Sequence, residues 1–443
     1  MGKYSLLILF VIFSCNWKKK NPNPKPIEEP IETFLYMFEL TEKIGTPLVL
    51  LDNYFVPDKG IIDKKRKELT EEILTFAKKK NLEIVHTYTE LGVGFSTYLT
   101  EKQADSLSRD SLSVKMVVKS AKVQGRPIHQ GRPIHQSGAI DENGNYDTNL
   151  KSSCGIVFSG GPKPSVPSNQ RKIWILDTGI DKVPELNLDV ANSFSFIDNT
   201  QQGAFLDENG HGTHCAGIAA AKYINIPANS ISVNGVSPGA KVVSLKVLDQ
   251  NGEGEWAHIR AALDRVAVGI QTIPDKDVVL MSFGDFDYNL PCDDLSRNLV
   301  TQSITNLANT QKVFIVMSAG NNFDLAKINF PGCLDLTNTY TIGSIDQNCT
   351  TNDLPVYSSY SNFNERNNTG PIDFVAPGSN ILSTFPRDSV GTRRYASMWG
   401  TSMSAAIVAG ILQRKDIPSQ HPQPRYRHVM RSPVRYKVAH TGN

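Results

Sequence analysis

The stretch Ile173-Trp174-Ile175-Leu176-Asp177-Thr178-Gly179-Ile180-Asp181 decides the fold. An apolar run of strand length ends on an acid and then on a glycine turn, which is the pattern of a buried strand. Open α/β sheets hold their ligand crevices outside the carboxyl ends of such strands. Asp177 therefore stands where a site would be, although an aspartate that only closes a strand reads the same way.

Further along, Asn209-Gly210-His211-Gly212-Thr213-His214-Cys215-Ala216-Gly217-Ile218 sets a histidine between two glycines, so backbone can pass close to it. Small and apolar residues follow at helical spacing, and a helix that begins at His211 holds its imidazole over a cleft. His211 and His214 also read as a zinc pair, a weak reading because the spacing is i, i+3 and no glutamate sits inside it. Gly400-Thr401-Ser402-Met403-Ser404-Ala405-Ala406 opens a third element. The small and apolar residues 405–410 predict a buried helix that starts on a bare hydroxyl, which is how a nucleophile is presented. An N-cap serine before a core helix looks the same.

Asp, His and Ser in this chain order supply what acyl transfer needs: a hydroxyl, a base for its proton, and a buried carboxylate to orient the base. The order is that of subtilisin and differs from those of chymotrypsin and the α/β-hydrolases. On these three strings, residues 155–412 resemble the catalytic domain of subtilisin-like serine proteases, and Cys215 is similar to the proteinase K or thiol-dependent side of that family. The resemblance implies an α/β fold, a three-layer domain with a mainly parallel central sheet. It implies a serine endopeptidase acting on polypeptides, in which Ser402 attacks, His211 is base and then acid, and Asp177 orients His211. It also implies that Asn321, which follows the apolar run 313–317 in Ser318-Ala319-Gly320-Asn321, donates to the oxyanion beside the Ser402 N–H. A turn asparagine after a strand is the plain alternative. An α/β-hydrolase esterase needs Gly-x-Ser-x-Gly, and the string at Ser402 lacks the second glycine.

Substrate contacts follow from the same resemblance. Ser282, Phe283 and Gly284, at the end of the apolar run 277–284, match the family's edge that pairs with an extended peptide. Gly254 and Glu255 form the opposite wall. Main-chain pairing tolerates many sequences, so side-chain preference falls to pockets, the main one shaped by residues after Asn322 and including 330–333. Trp256 either narrows a secondary pocket or is an exposed tryptophan packing on its own domain.

The front of the chain has a different character. Residues 1–15 carry Lys3 and an apolar run at 6–13 that is too short to span a bilayer and has signal-peptide proportions. Ile12-Phe13-Ser14-Cys15 resembles a bacterial lipobox, which implies lipidation at Cys15. The protein is then extracytoplasmic, either secreted or lipid-anchored at the bacterial cell envelope. An ordinary signal peptide is the alternative. Residues 16–30 read as a solvated tether. Residues 31–122 predict strands at 33–40, 83–89, 94–99 and 115–119. A helix spans 63–80, and a second is opened by the capping-box pair Thr100 and Gln103. The order β-α-β-β-α-β is a small ferredoxin-like α+β module. It resembles the inhibitory propeptide of subtilases, notably over 86–96 and 99–103, which implies that the module packs on the protease and the segment after it lies in the cleft. An unrelated α+β domain is the alternative. Residues 123–153 read as a processing linker and mature N-terminal arm. There the hexapeptide 125–130 recurs as 131–136, with a proline at the same offset that keeps the chain extended. This suits autoprocessing, or is a duplication without a role. Residues 154–417 form the catalytic domain.

Of six cysteines, Cys15 belongs to the leader; Cys154, Cys215, Cys292, Cys333 and Cys349 remain. An odd number leaves at least one thiol free, with Cys215 the best candidate. Cys333 and Cys349 are one pair to consider, though sequence alone leaves connectivity open. The stretch 229–235 resembles the family's high-affinity calcium loop, which implies ligands from Asn229, Ile231 and Val233 with Glu185 as the distant acid. Calcium takes six to eight oxygens. Glutamate replaces the family's aspartate and Ser232 its glycine, so a plain surface loop is the alternative. Lys plus Arg number 46 and Asp plus Glu 44, a net charge of +2 that asks for no nucleic acid. Hydrophobic content of 40% over 443 residues suits two or three domains in a monomer.

After Leu412 the pattern departs from the family. Ala406 stands where proline is common, and residues 418–443 are an acid-free, Arg-, His- and Pro-rich tail that reads as atypical or out of frame. A truncated end leaves a second function open: a non-catalytic or defective homologue that only binds peptides.

Overall fold

The computed structural model describes residues 32–50, 59–125, 154–162, 171–226, 231–271, 276–285, 290–347, 354–365, 369–415, 418–420, 426 and 436–442. Cys15, the tether, the repeat from 126 onward, Asn229 and Cys349 lie outside the described residues.

The amino-terminal part runs Phe34–Leu40, helix Lys59–Lys79, His86–Tyr88, Gly94–Leu99, helix Glu101–Ser108 and Val114–Lys119. This is the β-α-β-β-α-β order expected from the sequence. Its antiparallel sheet has the first strand inside, between Gly94–Leu99 and Val114–Lys119. Alternation along that strand serves two cores. Tyr36, Phe38 and Leu40 pack with Ile62, Leu69, Ile73 and Phe76 of the long helix. Leu35 and Met37 join the core of the larger domain. The second helix carries the expected capping box: the Gln103 N–H donates to Thr100 Oγ1, and the Thr100 N–H donates to Gln103 Oε1 at 2.9 Å.

The larger domain is three-layered. Lys172–Asp177 lies in the middle of the sheet, parallel to Lys241–Lys246 on one side and to Asp277–Met281 on the other. Val313–Ser318, Thr339–Asp346 and Ile372–Pro377 extend it in parallel. Period 2 sorts the side chains. Trp174, Leu176, Val279, Met281 and Ile315 face the helices Trp256–Gly269 and Asn298–Asn309. Ile173, Ile175, Val278, Leu280 and Val316 face the helices His211–Ala220 and Thr401–Arg414. Both sheet faces are covered, which is why these strands read as continuous apolar runs.

Two expectations are corrected. Cys333 bonds to Cys292, not to Cys349, with Cα atoms 6.0 Å apart; a separation of 41 residues carries no signal of that approach. Cys154 is also disulfide-bonded, and Cys215, buried, is the free cysteine among the described residues. Trp256 is neither exposed nor at a pocket mouth. It is fully buried, its ring 4.8 Å from that of Phe330 and 6.2 Å from that of Phe283. Within the basic tail, Lys437–His440 adds a parallel strand beside Ile372–Pro377 and buries Val438 and Ala439.

The two parts meet on the helix Trp256–Gly269. Arg260 is fully buried there; it pairs with Glu39, donates to the Phe38 carbonyl at 3.2 Å and lies 4.2 Å from the Tyr88 ring. Asp264 accepts the backbone N–H groups of Thr89, Glu90 and Leu91 at 2.7, 3.0 and 2.8 Å. His86 and His258 meet edge to face with centroids 5.3 Å apart, and Phe196 stands 5.9 Å from His86. His86 Nε2 and His258 Nδ1 are buried with no hydrogen-bond partner.

This interface should depend on pH. Burial, helped by His258, pushes His86 down to about 3, and burial pushes His258 down to about 4. Their contribution is complete above the free value of about 6.5 and is lost as pH falls toward those depressed values. Asp264 has the opposite sign. Burial and the Glu90 charge push it up to about 7, so its contribution is lost as pH rises through that value. Two imidazoles outweigh one carboxyl, so docking should weaken by about 1.4 kcal/mol per pH unit between roughly pH 6.5 and 4. Hydrogen exchange of the 86–90 amides would read this, and His86→Phe should level the slope.

Candidate active site

Asp177 ends its strand, and His211 is the first residue of the helix His211–Ala220. Gly210, at φ +98°, turns the chain into that helix. A Cβ on Gly212 would stand 2.1 Å from the Gly179 carbonyl, so only glycine lets the helix close on the strand end. The result is a short contact between buried groups: His211 Nδ1 lies 2.8 and 2.9 Å from the two Asp177 oxygens. The Thr178 N–H also donates to Asp177 Oδ1, at 2.8 Å.

Burial disfavours the imidazolium, but the Asp177 charge, the nearby Cys215 and their hydrogen bonds outweigh it and hold His211 well above its ordinary value. Burial pushes the Cys215 thiol up, so it stays neutral and Asp177 is the charge that matters. His214 is different: burial drives it down to about 3, and its Nε2 faces the Ala396 carbonyl at 2.9 Å. Among the described residues, Asp177, His211 and Cys215 bring three metal-ligand types within 4.8 Å, and His214 is not part of that group.

Ser402 is the second residue of the buried helix Thr401–Arg414. Its hydroxyl donates to the Ser282 carbonyl at 3.1 Å; among the described residues it makes no hydrogen bond to His211. Such contacts are commonly loose before a substrate is positioned. Asn321 is held from one side, its Oδ1 accepting the Thr401 N–H at 2.9 Å and the Thr401 hydroxyl at 2.8 Å. That anchor turns Nδ2 toward Gly400, where a Cβ would lie 3.4 Å from it.

The two segments expected to flank a substrate lie on either side of another stretch of the chain. Lys122–Gln124 pairs antiparallel with Glu253–Glu255, Gly254 opposite Val123 and Glu255 opposite Lys122. It also pairs with Gly284–Asp285, Gly284 opposite Gln124. The Gly125 N–H donates to the Gly252 carbonyl at 2.8 Å. Val123 is fully buried in the cluster that holds Leu248, Trp256 and Phe283. Ser282, Phe283 and Gly284 line a pocket with Ser402, Asn321 and Gln124. Asn329 also lines it, its Nδ2 donating to the Ser318 carbonyl at 3.1 Å. Neither Gln124 nor Asn329 stood out in the sequence, because neither lies in a string with chemistry of its own.

Of the calcium candidates, Glu185 is buried; its Oε1 accepts from the Tyr395 hydroxyl at 2.8 Å, and its Oε2 has no partner. Ile231 and Val233 belong to a strand, Ile231–Val233, paired with Ile224–Ile226 rather than to an open loop. The segment after that strand is near Glu185: the Lys222 N–H donates to the Glu185 carbonyl, and the Gly235 N–H to the neighbouring Ala221 carbonyl, both at 2.8 Å.

A mainly parallel sheet whose carboxyl edge gathers a buried Asp–His pair and a helix-opening serine defines a class, the subtilisin-like serine endopeptidases. The model of the subtilase family, Peptidase S8, matches residues 168–422, and the chain belongs to that family. It is 34% identical over 243 residues to thermitase of Thermoactinomyces vulgaris, covering 54% of this chain and 72% of the relative. It is 30% identical over 332 residues to a thermostable alkaline protease of Halalkalibacterium halodurans, covering 75% and 74%. The crystal structure of an epidermin leader peptide processing serine protease from Staphylococcus aureus superposes with a TM-score of 0.55 at 20% identity, over 86% of this chain and 88% of that one, and shows the shared fold.

Proposed function

We propose that this subtilisin-like serine endopeptidase is an extracytoplasmic zymogen that cleaves polypeptides, with Ser402, His211 and Asp177 as its triad. His211 takes the Ser402 proton as the hydroxyl attacks the scissile carbonyl, then gives it to the leaving amine; Asp177 holds the imidazole and stabilises its cation. Water then attacks the acyl-enzyme by the same route. The Ser402 N–H and Asn321 Nδ2 hold the oxyanion. Asn321→Ala should lower kcat by about 100- to 1,000-fold with KM little changed, read by initial rates on a peptide substrate.

The observation that carries the zymogen reading is the strand Lys122–Gln124 between the two cleft walls, with Gln124 and Ser402 lining one pocket. A chain segment there competes with substrate, so residues 31–122 act as an intramolecular inhibitor until 123–153 is cut. The lipobox-like Cys15 would anchor the uncut chain at the cell envelope, and the cut would release the protease. A fluorophosphonate probe tests the enzyme. It should label the wild type once intact mass shows the linker cut, and should not label Ser402→Ala; no labelling of folded, cut wild type would overturn the reading. Intact mass before and after activity appears tests the cut and the lipid.

The unpartnered Oε2 of buried Glu185 is suited to a cation, and hard oxygen donors suit calcium. Glu185, with Asn229, Ile231 and Val233, would hold it as a structural ion. Calcium at 100 times its Kd would add about 2.7 kcal/mol, so chelation should lower Tm by about 5–10 °C. An unchanged melting curve in chelator would count against the site.

A further inference from the structure

Asp207 lies four residues before His211, and the reaction above gives it no step. Its carboxylate is buried and accepts four hydrogen bonds. Oδ1 takes the Thr178 hydroxyl at 2.7 Å and the Gly210 N–H at 2.8 Å. Oδ2 takes the Thr213 N–H at 2.8 Å and the Thr213 hydroxyl at 2.5 Å. Thr178 Oγ1 in turn accepts the Gly212 N–H at 3.0 Å. Thr213 Oγ1 accepts the Asp181 N–H at 2.9 Å, which ties in the turn after the strand.

These bonds enclose one contact. Thr178 follows Asp177, while Gly210, Gly212 and Thr213 surround His211. The knot therefore joins the end of the strand to the first turn of the helix, on both sides of the Asp177–His211 hydrogen bond. It also replaces a missing cap. The residue before the helix is Gly210, which has no side chain to bond the first N–H groups. Asp207 and Thr178 bond three of them instead.

The geometry points to Asp207 as a positioning residue: by tying Thr178 to Thr213 it sets the angle at which His211 meets Asp177 and Ser402. This rests on the reading of those three residues as the triad. The charge and hydrogen bonds that most move His211 come from Asp177 and Cys215, whereas Asp207 bonds the residues on either side of it. It acts through geometry, not through its field. A misplacement of about 1 Å at a reacting group costs about 100-fold in rate. Lys246 Nζ, on the Thr178 and Leu206 carbonyls at 2.6 and 2.8 Å and paired with Glu208, braces the same corner.

Asp207→Asn keeps the shape but turns an NH2 group toward N–H and O–H donors. The test is the fluorophosphonate labelling rate over a range of pH, taken after active wild-type enzyme has cut the linker in trans and intact mass confirms the cut, and scored only on protein that melts cooperatively. The wild type should label and Ser402→Ala should not; a wild type that fails to label sinks the triad reading, and this proposal with it. Asp207→Asn should label about 100-fold more slowly, with the apparent pKa of the acid limb lowered less than in Asp177→Asn, which removes the charge itself. Thr178→Val breaks the same tie with less risk to folding and should slow labelling in the same direction. The double variant should be no slower than Asp207→Asn alone. If Asp207→Asn or Thr178→Val melts like the wild type and labels at the wild-type rate, or if their effects multiply, Asp207 does not position His211. Should Asp207→Asn fail to fold, Thr178→Val decides alone.

Discussion

Ser402→Ala should lower kcat by about a million-fold, the size that loss of the nucleophile has in a subtilisin-type triad. The fold should survive it. Ser402 is buried, and among the described residues its hydroxyl makes one hydrogen bond, to the Ser282 carbonyl, worth about 1 kcal/mol. The variant should therefore purify folded, with 31–122 still attached, since it cannot cut its own linker. Initial rates on a peptide substrate and intact mass check both halves of the expectation. Retention of activity within tenfold of the wild type would remove Ser402 from the chemistry.

The second large effect lies away from the triad. Arg260 and Glu39 are an ion pair buried between the two parts of the chain. Cutting Arg260 to alanine leaves the Glu39 side chain buried without its partner, and takes a donor from the Phe38 carbonyl. Stranding one partner of a buried pair costs about 3–5 kcal/mol, which corresponds to at least a 100-fold weaker hold of the amino-terminal part on the protease. Arg260→Ala should shorten the lag before activity appears in freshly folded chain. Replacing both partners with leucine removes the stranded carboxyl and should recover most of the lag. Equal lags in the wild type and Arg260→Ala would mean that this pair does not govern release.

Some of this is legible in the sequence. The buried strands are apolar runs because both sheet faces are covered, and Asp177, His211 and Ser402 each stand at an element end marked by glycine. The capping box at Thr100 and Gln103 is a contact over three residues. Such signals are local, so a string of ten residues contains them. The disulfide between Cys292 and Cys333 was not legible, because nothing near either cysteine encodes the other. Trp256 read as an exposed helix start, and only its packing against Phe283 and Phe330 explains its burial.

The sequence by itself determined the family, the alternation that builds two cores on one sheet, and the residue types that meet at its carboxyl edge. The tertiary structure alone decided what surrounds them. Asp207 ties a strand to a helix across 29 and 6 residues, Arg260 reaches Glu39 across 221, and Lys122–Gln124 pairs with two strands more than 100 residues downstream. Periodicity reports which face of an element is buried, but not which distant element covers it. That partner is selected by the packing of the whole chain.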